Sequence, residues 1–312
     1  MPYEIENSPL FKITSIHRLS EVLQLRVGRL RRLEYLTGQF KEGTTERNGK
    51  QRKTETPIRT MCRVHNRVQK LLSRIQMPNY LHSGKRKRSY LSNAVAHSGL
   101  IQSFQVDIAK FYPSCTWHHV YLCFIRQFQC SSDIAGIMAT ILTYRGHIPT
   151  GSPTSSLLAF LSHKEMFDAL YELAQSHNLT MTVYQDDISF SGSSISESFR
   201  SEVRCIIKRC NLVPKRSKQR YCHGGRSPNI TGVVLTSRGP KAPRSRHLAL
   251  RQSIDEFDAA ESEIDLRISY HRMMGRLSEI ERVQGRLFDL KPKLKSRFRS
   301  RLKAMSQCPQ VE

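Results

Sequence analysis

Several absences narrow the reading of this chain before any motif is considered. Its eight cysteines (Cys62, Cys115, Cys123, Cys130, Cys205, Cys210, Cys222 and Cys308) include no CxxC pair and no zinc-like spacing. A disulfide framework or zinc knuckle is therefore not expected, and the cysteines read as buried thiols of a reducing compartment. No run of eighteen or so apolar residues occurs, and Pro2-Tyr3-Glu4 after Met1 lacks the basic-then-apolar order of a secretory leader. Membrane spanning and secretion are set aside, and a cytoplasmic location is expected. Internal repeats and low-complexity tracts are missing. Acid is scarce as well: 26 Asp and Glu face 50 Lys and Arg in 312 residues, a formal net charge of +24. Such a surplus suits a partner dense in phosphate, and nucleic acid leads. The length suffices for a substantial core divided into lobes.

Ile16, Leu19, Val22, Leu23, Val27, Leu30 and Leu33 recur at helical spacing, and Arg26, Arg29, Arg31 and Arg32 leave a basic face that can meet phosphate. From Lys41 to Lys53, with Gly43, Gly49, Lys50, Arg52 and Lys53, almost nothing is apolar, which predicts a basic hairpin or loop. A second helix carries Ile58, Met61, Val64, Val68, Leu71, Leu72 and Ile75 and closes before Pro78. Leu100 to Ile108 alternates as a strand, with Asp107 facing away from Phe104, Val106 and Ile108. After Gly151-Ser152-Pro153-Thr154-Ser155 one long apolar helix is expected.

Thr180–Tyr184, a turn at Gln185-Asp186-Asp187, and Ile188–Ser191 read as a hairpin with two carboxylates at its tip. A helix from Glu197 to Cys210 and short strands near Tyr221 and Ile230–Leu235 follow. Gly239-Pro240-Lys241-Ala242-Pro243 reads as a linker, and everything beyond it as basic helix ending in Lys291, Lys293, Lys295, Arg297, Arg299, Arg301 and Lys303.

Adjacent acids prove little, since about two such pairs arise by chance at this composition. Asp186-Asp187 differs by its place on an apolar hairpin, where burying two carboxylates is costly unless a cation compensates. Asp107 offers a third carboxylate from a neighbouring strand. Three oxygen donors suit Mg²⁺, and two ions about 3.5–4 Å apart are the clamp used in nucleotidyl transfer.

Val183-Tyr184-Gln185-Asp186-Asp187 resembles the YxDD motif of reverse transcriptases, and Val106-Asp107-Ile108-Ala109-Lys110-Phe111-Tyr112-Pro113-Ser114 resembles their first aspartate motif. Ile148-Pro149-Thr150-Gly151-Ser152-Pro153 is similar to the intervening PQG-type loop, and Asn211–Lys218 to the lysine-bearing motif. Arg52-Lys53-Thr54-Glu55-Thr56-Pro57 matches the R-x-x-x-x-P of the fingers. Asn93-Ala94-Val95-Ala96-His97 resembles the NAxxH element, and Asn229-Ile230-Thr231-Gly232 the VTG element, of retron reverse transcriptases. The departures are Gln185 for the commoner Ala, Thr150 where Gln often precedes Gly, and Ile230 for Val.

The resemblance covers roughly residues 35 to 300 and implies a right-hand α+β polymerase. Its fingers would occupy residues 1–98, an antiparallel-sheet palm residues 99–239, and a basic helical thumb residues 240–312. It implies Mg²⁺ ligation by Asp107, Asp186, Asp187 and the Ile108 carbonyl, with Tyr112 under the incoming sugar and Gly151 letting backbone approach nucleotide or template. Arg52 and Lys53 would grip the triphosphate, Lys215 or Lys218 would serve the leaving pyrophosphate, and Asn93, His97, Arg297, Arg299 and Arg301 would contact RNA. Trp117 would pack beneath the palm, and His118, His119 and His223 are read as structural.

The substrates and partners it implies are dNTPs, a structured noncoding RNA and the RNA–DNA hybrid. The implied product is a short branched msDNA primed from an internal guanosine 2′-hydroxyl, made for anti-phage defence with a separate effector protein. Two alternatives stand beside this: another bacterial reverse transcriptase, of abortive-infection or intron type, and a noncatalytic RNA-binding scaffold.

Overall fold

The computed structural model describes residues 2–47, 50–99, 101–215, 217, 219–223, 227–285 and 289–307. Gly49, Lys218 and Cys308 lie outside the described residues, as does the side chain of Lys50. The chain is a mixed α and β protein with antiparallel sheets and falls into two compact units. One comprises Met1–Ser89 with Ile101–Tyr221, the other Tyr90–Leu100 with Cys222–Glu312.

The first unit opens with short helices α1 (Ile16–Leu23), α2 (Val27–Leu30) and α3 (Glu34–Thr37). The single helix expected here is broken because Gln24 takes a left-handed conformation (φ 54°), the Ser20 carbonyl accepts the Leu25 N–H, and the Ser20 hydroxyl donates back to the Leu25 carbonyl. The basic segment forms the hairpin β1 (Phe40–Arg47) and β2 (Lys50–Pro57), antiparallel throughout, followed by α4 (Arg59–Leu72) with its apolar stripe buried. Next in chain order, α5 (Tyr90–Val95) belongs to the second unit.

Strand β3 (Gln102–Asp107) leads through α6 (Phe111–Ser114), α7 (Trp117–Arg126) and α8 (Ser132–Leu142) to α9 (Ser155–Ser162) and α10 (Lys164–Ser176). The long helix expected after Ser155 is thus two, separated at His163, whose backbone leaves the helical region (φ −125°, ψ 21°). The hairpin β4 (Thr180–Tyr184) and β5 (Asp187–Gly192), α11 (Glu197–Arg209) and β6 (Arg220–Cys222) complete the sheet, in the order β4-β5-β3-β6.

Register explains why this sheet can carry both core and chemistry. Phe104 pairs with Phe190 and Val106 with Ile188, all fully buried, and Phe199 of α11 meets Phe190 edge-on at 5.2 Å. Cross-strand partners share a face. The opposite face is polar: Ser103 pairs with Ser191, Gln105 with Ser189 and Asp107 with Asp187.

In the second unit β7 (Asn229–Ile230), β8 (Val233–Thr236) and β9 (Gly239–Lys241) form a small antiparallel sheet. The expected linker at Gly239–Pro243 is therefore strand β9 and the cap of the next helix; Pro240 sits at the sheet edge, where its missing N–H costs no ladder bond. Three helices follow, α12 (Arg244–Asp258), α13 (Glu263–Gln284) and α14 (Leu290–Gln307), joined through Phe257, Leu266, Met273, Leu277, Ile280 and Leu294.

Of the cysteines expected to be buried, Cys115, Cys123 and Cys130 are, while Cys62, Cys210 and Cys222 are half-buried and Cys205 is exposed; all seven are unbridged. Trp117 stacks on Tyr121 and donates its indole N–H to Thr140. No described helix is long and apolar enough to cross a membrane.

Candidate metal centre and its surroundings

The β4–β5 turn has two residues, because Asp187 already pairs as the first residue of β5, one place earlier than the sequence suggested. Gln185 takes the left-handed conformation (φ 59°) that such a turn requires and donates its backbone N–H to the Ser83 hydroxyl at 2.9 Å. The neighbouring residues fix the strand too: Val183 donates to the Tyr80 carbonyl and His82 to the Val183 carbonyl. Across the turn, the Ile108 N–H donates to the Asp186 carbonyl at 3.2 Å. Asp107 sits directly opposite Asp187 and is almost fully buried, with 3 % of its surface exposed.

Together these constraints bring one carboxylate oxygen from each of Asp107, Asp186 and Asp187 within 4.8 Å of one another. Two like charges at that separation repel by roughly 3 kcal/mol at an effective dielectric of 20. Directly opposed acids on adjacent strands are destabilising, and a divalent cation reverses the sign of the interaction. An all-oxygen donor set selects a hard cation. No other group of three His, Cys, Asp or Glu side chains among the described residues meets the same condition.

The residues flanking Asp107 are pinned from the other side. Its carbonyl accepts the Lys215 N–H at 2.7 Å, and the Ala109 N–H donates to the Val213 carbonyl at 2.8 Å, so the Asn211–Lys215 segment lies along the end of β3. Lys110 then adopts a left-handed conformation (φ 48°) and starts α6, which carries Tyr112. Burial, with a smaller push from the Asp186 carboxylate, holds the Tyr112 hydroxyl above the ordinary tyrosine range.

The PQG-like loop is laced to β2. Gly151 donates its N–H to the Glu55 carbonyl, and the Thr150 hydroxyl donates to the Lys53 carbonyl at 2.9 Å. A Cβ on residue 151 would stand 2.5 Å from the Thr56 hydroxyl and 2.9 Å from the Glu55 carbonyl oxygen, so the close approach glycine permits here is to β2 itself. Glu55 also holds His147 at 3.1 Å. Arg52 and Lys53 are exposed on this hairpin, and neither makes an ion pair among the described residues.

Sequence reasoning missed His65. It is buried, and its two ring nitrogens meet the Ser152 hydroxyl at 2.6 Å and the Ile141 carbonyl at 2.8 Å. Burial lowers its pKa to about 4, so the ring is neutral: Nε2–H donates to Ile141, and Nδ1 accepts from Ser152. Ser83 was missed for the same reason, since neither residue bears a local pattern that marks it.

Within the second unit, Asn93 and His97 are both buried, and the Asn93 side-chain amide makes no hydrogen bond among the described residues. The two elements that singled out the retron resemblance lie together: Ala94 packs with Ile230, and the Thr231 hydroxyl donates to the Tyr90 carbonyl at 2.8 Å. On α14 the cations are divided. Arg297 pairs with Asp258 at 2.5 Å, Lys291 with Glu281 at 3.0 Å, and Arg301 donates to the carbonyls of Phe257 and Ala260 at the end of α12. Arg299, Lys293, Lys295 and Lys303 face outward.

A sheet that brings two strand carboxylates and one turn carboxylate together offers a group of oxygen donors that could hold a metal ion, on a strongly basic protein. No protein-family model matches the chain. Curated proteins do: the retron Ec86 reverse transcriptase of Escherichia coli is 26% identical over 291 residues, covering 91% of this chain and 86% of that protein. The retron Se72 reverse transcriptase of Salmonella heidelberg is 25% identical, covering 78% of this chain and 69% of its own length, and the retron Ec48 reverse transcriptase of Escherichia coli is 23% identical, covering 99% and 79%. The chain is a homologue of retron reverse transcriptases, and that homology supports RNA-directed DNA polymerase activity.

Proposed function

We propose that this protein is a retron-type reverse transcriptase that copies part of a structured noncoding RNA into a short single-stranded DNA. The observation that carries the reading is the convergence of Asp107, Asp186 and Asp187 on one point of the sheet. In this reading residues 1–98 act as fingers, 99–239 as palm and 240–312 as thumb.

The three aspartates, with the Ile108 carbonyl, would hold two Mg²⁺ ions. Mg²⁺ bound there supplies charge neutralisation at the transferring phosphate and acidifies the attacking hydroxyl. The protein's own groups do the rest. Tyr112, set beside Asp186 by α6, forms the floor under the sugar, where a rigid ring excludes a 2′-hydroxyl. Arg52 and Lys53 neutralise the triphosphate, the arginine as a two-pronged donor. Gly151 lets the nucleotide-side loop seat on β2, and Lys215, whose backbone is tied to Asp107, would give a proton to the departing pyrophosphate.

RNA is held by the outward cations of α14, Arg299 among them, and by phosphate and shape contacts suited to an A-form helix. Arg297 and Arg301 act through the α12–α14 packing that presents Arg299. The Asn93 amide, buried without a hydrogen-bond partner among the described residues, and His97 would meet RNA or ordered water. By analogy with the family the product is branched msDNA primed from an RNA 2′-hydroxyl, made in the cytoplasm and coupled to a defence effector.

The test is gel analysis of small nucleic acids from cells carrying the gene with its native flanking DNA, with and without RNase and debranching treatment. An abundant short DNA that shifts on debranching and disappears in Asp186→Asn and Asp187→Asn variants is expected. Synthesis that survives Asp186→Asn refutes the site. Unbranched DNA points to another class of bacterial reverse transcriptase, and no incorporation by purified protein on a primed RNA points to a scaffold.

A further inference from the structure

The hairpin that carries Asp186 is held from outside by a segment to which the proposed chemistry gives no part. In the sheet order β4-β5-β3-β6, β4 lies at the edge. Residues Tyr80 to Ser83 run beside it: Leu81 bridges Val183 in parallel, Val183 donates its N–H to the Tyr80 carbonyl, and His82 donates to the Val183 carbonyl, both at 2.8 Å. One residue further along, the Ser83 hydroxyl accepts the Gln185 N–H at 2.9 Å. That bond falls on the turn itself, past Tyr184, the last residue of β4.

Ser83 has little freedom of its own, with 3% of its surface exposed. Next to it Gly84 is left-handed (φ 64°), and a Cβ there would stand 2.9 Å from Leu157 of α9. Lys85 donates its ammonium to the carbonyls of Met77 and Pro78 at 2.8 and 3.2 Å, closing the loop on itself. At the other end of the segment the Tyr80 hydroxyl donates to Asp168 of α10 at 2.5 Å. The serine is therefore placed by α9, α10 and its own loop, independently of the hairpin it holds.

Gln185 needs such a hold. A left-handed residue with a Cβ is disfavoured, and the neighbouring carboxylates repel one another until a cation is bound. Asp186 is bracketed by two backbone bonds: Ser83 fixes the N–H of the residue before it, and its own carbonyl accepts from Ile108 at 3.2 Å. We propose that Ser83 is a positioning residue for the metal centre, its hydroxyl setting the Asp186 carboxylate where a divalent cation requires it before the cation arrives. That the cation then serves nucleotidyl transfer rests on the polymerase reading.

The experiment titrates the full chain with Mn²⁺, without nucleotide or nucleic acid, reads free Mn²⁺ by electron paramagnetic resonance, and takes Asp186→Asn as the background. Ser83→Ala is expected to weaken the Asp186-dependent site roughly two- to tenfold, the range one hydrogen bond commands, with stoichiometry unchanged. In extension of a primed RNA, the Mg²⁺ needed for half-maximal rate should rise by the same factor, and saturating Mg²⁺ should restore the rate to within about twofold. Ser83→Cys, close in volume but with a weakly accepting sulfur, should fall between the two, and it carries the test if Ser83→Ala melts early.

Equal Mn²⁺ affinity in wild type and Ser83→Ala overturns the proposal. So does a variant that loses sites or rate with metal affinity unchanged, the pattern a merely structural serine would give. A wild-type chain without an Asp186-dependent Mn²⁺ site overturns it too. Ser83-dependent binding on a chain that extends no primer leaves the positioning role standing and sinks the polymerase reading; extension and metal affinity that ignore Ser83 do the reverse.

Discussion

His65 shows how much a single buried ring decides. It links α4 to the loop that carries Gly151 through Ser152, and burial keeps it neutral. Its folded pKa of about 4 lies below the ordinary histidine value of 6.5, so the unfolded chain binds the proton more tightly. The stabilisation is complete above pH 6.5 and is lost as pH falls toward 4, by roughly 3 kcal/mol for this one residue. Denaturant melts at stepped pH should show that decline, and His65→Gln should make it shallower. Nothing in the sequence around Val64-His65-Asn66 advertised this role, because the partners come from distant segments. The three aspartates were legible for the opposite reason: carboxylates on apolar strands need a chemical explanation, and a cation would supply it.

Elements differ in how well their ends could be read. The hairpin at Thr180–Gly192 and the helix α11 were plain, and the structure adds Ser196 as the cap of that helix. Breaks inside apolar runs were not, since Gln24 and His163 interrupt helices without any glycine or proline to announce it. Strand β9 was hidden by the Gly-Pro composition of an edge. The β2-to-loop junction makes a direct prediction: Gly151→Ala should destabilise the protein by roughly 1–3 kcal/mol in denaturant melts. Adding Thr56→Ala should not restore it, because the Glu55 carbonyl remains in the way. On α14 the sequence showed an alternating run of cations, yet alternate residues on a helix point to opposite sides. Arg301→Ala should therefore lower thermal stability by freeing carbonyls at the end of α12, by roughly 1–3 kcal/mol. Arg299→Ala should leave the melt unchanged and reduce the RNA salt slope by about 1.

Over the whole molecule the charge surplus of +24 governs association. Affinity for a structured RNA should fall about a thousandfold or more between 50 and 200 mM salt if six or more phosphates are engaged, as a filter-binding series would show. Division into compact units was less accessible to sequence reading than charge, because Tyr90–Leu100 joins residues far beyond it. That interruption has a consequence for the order of events on the ribosome. Residues of the first unit are all synthesised once Tyr221 has been added, whereas Ala94 must wait for Ile230, Val233 and finally Val283 before its hydrophobic cluster can close. At elongation rates of about 5–20 residues per second that wait lasts on the order of ten seconds or more, during which an apolar helix early in the chain stays without its partners and is a natural point of chaperone contact.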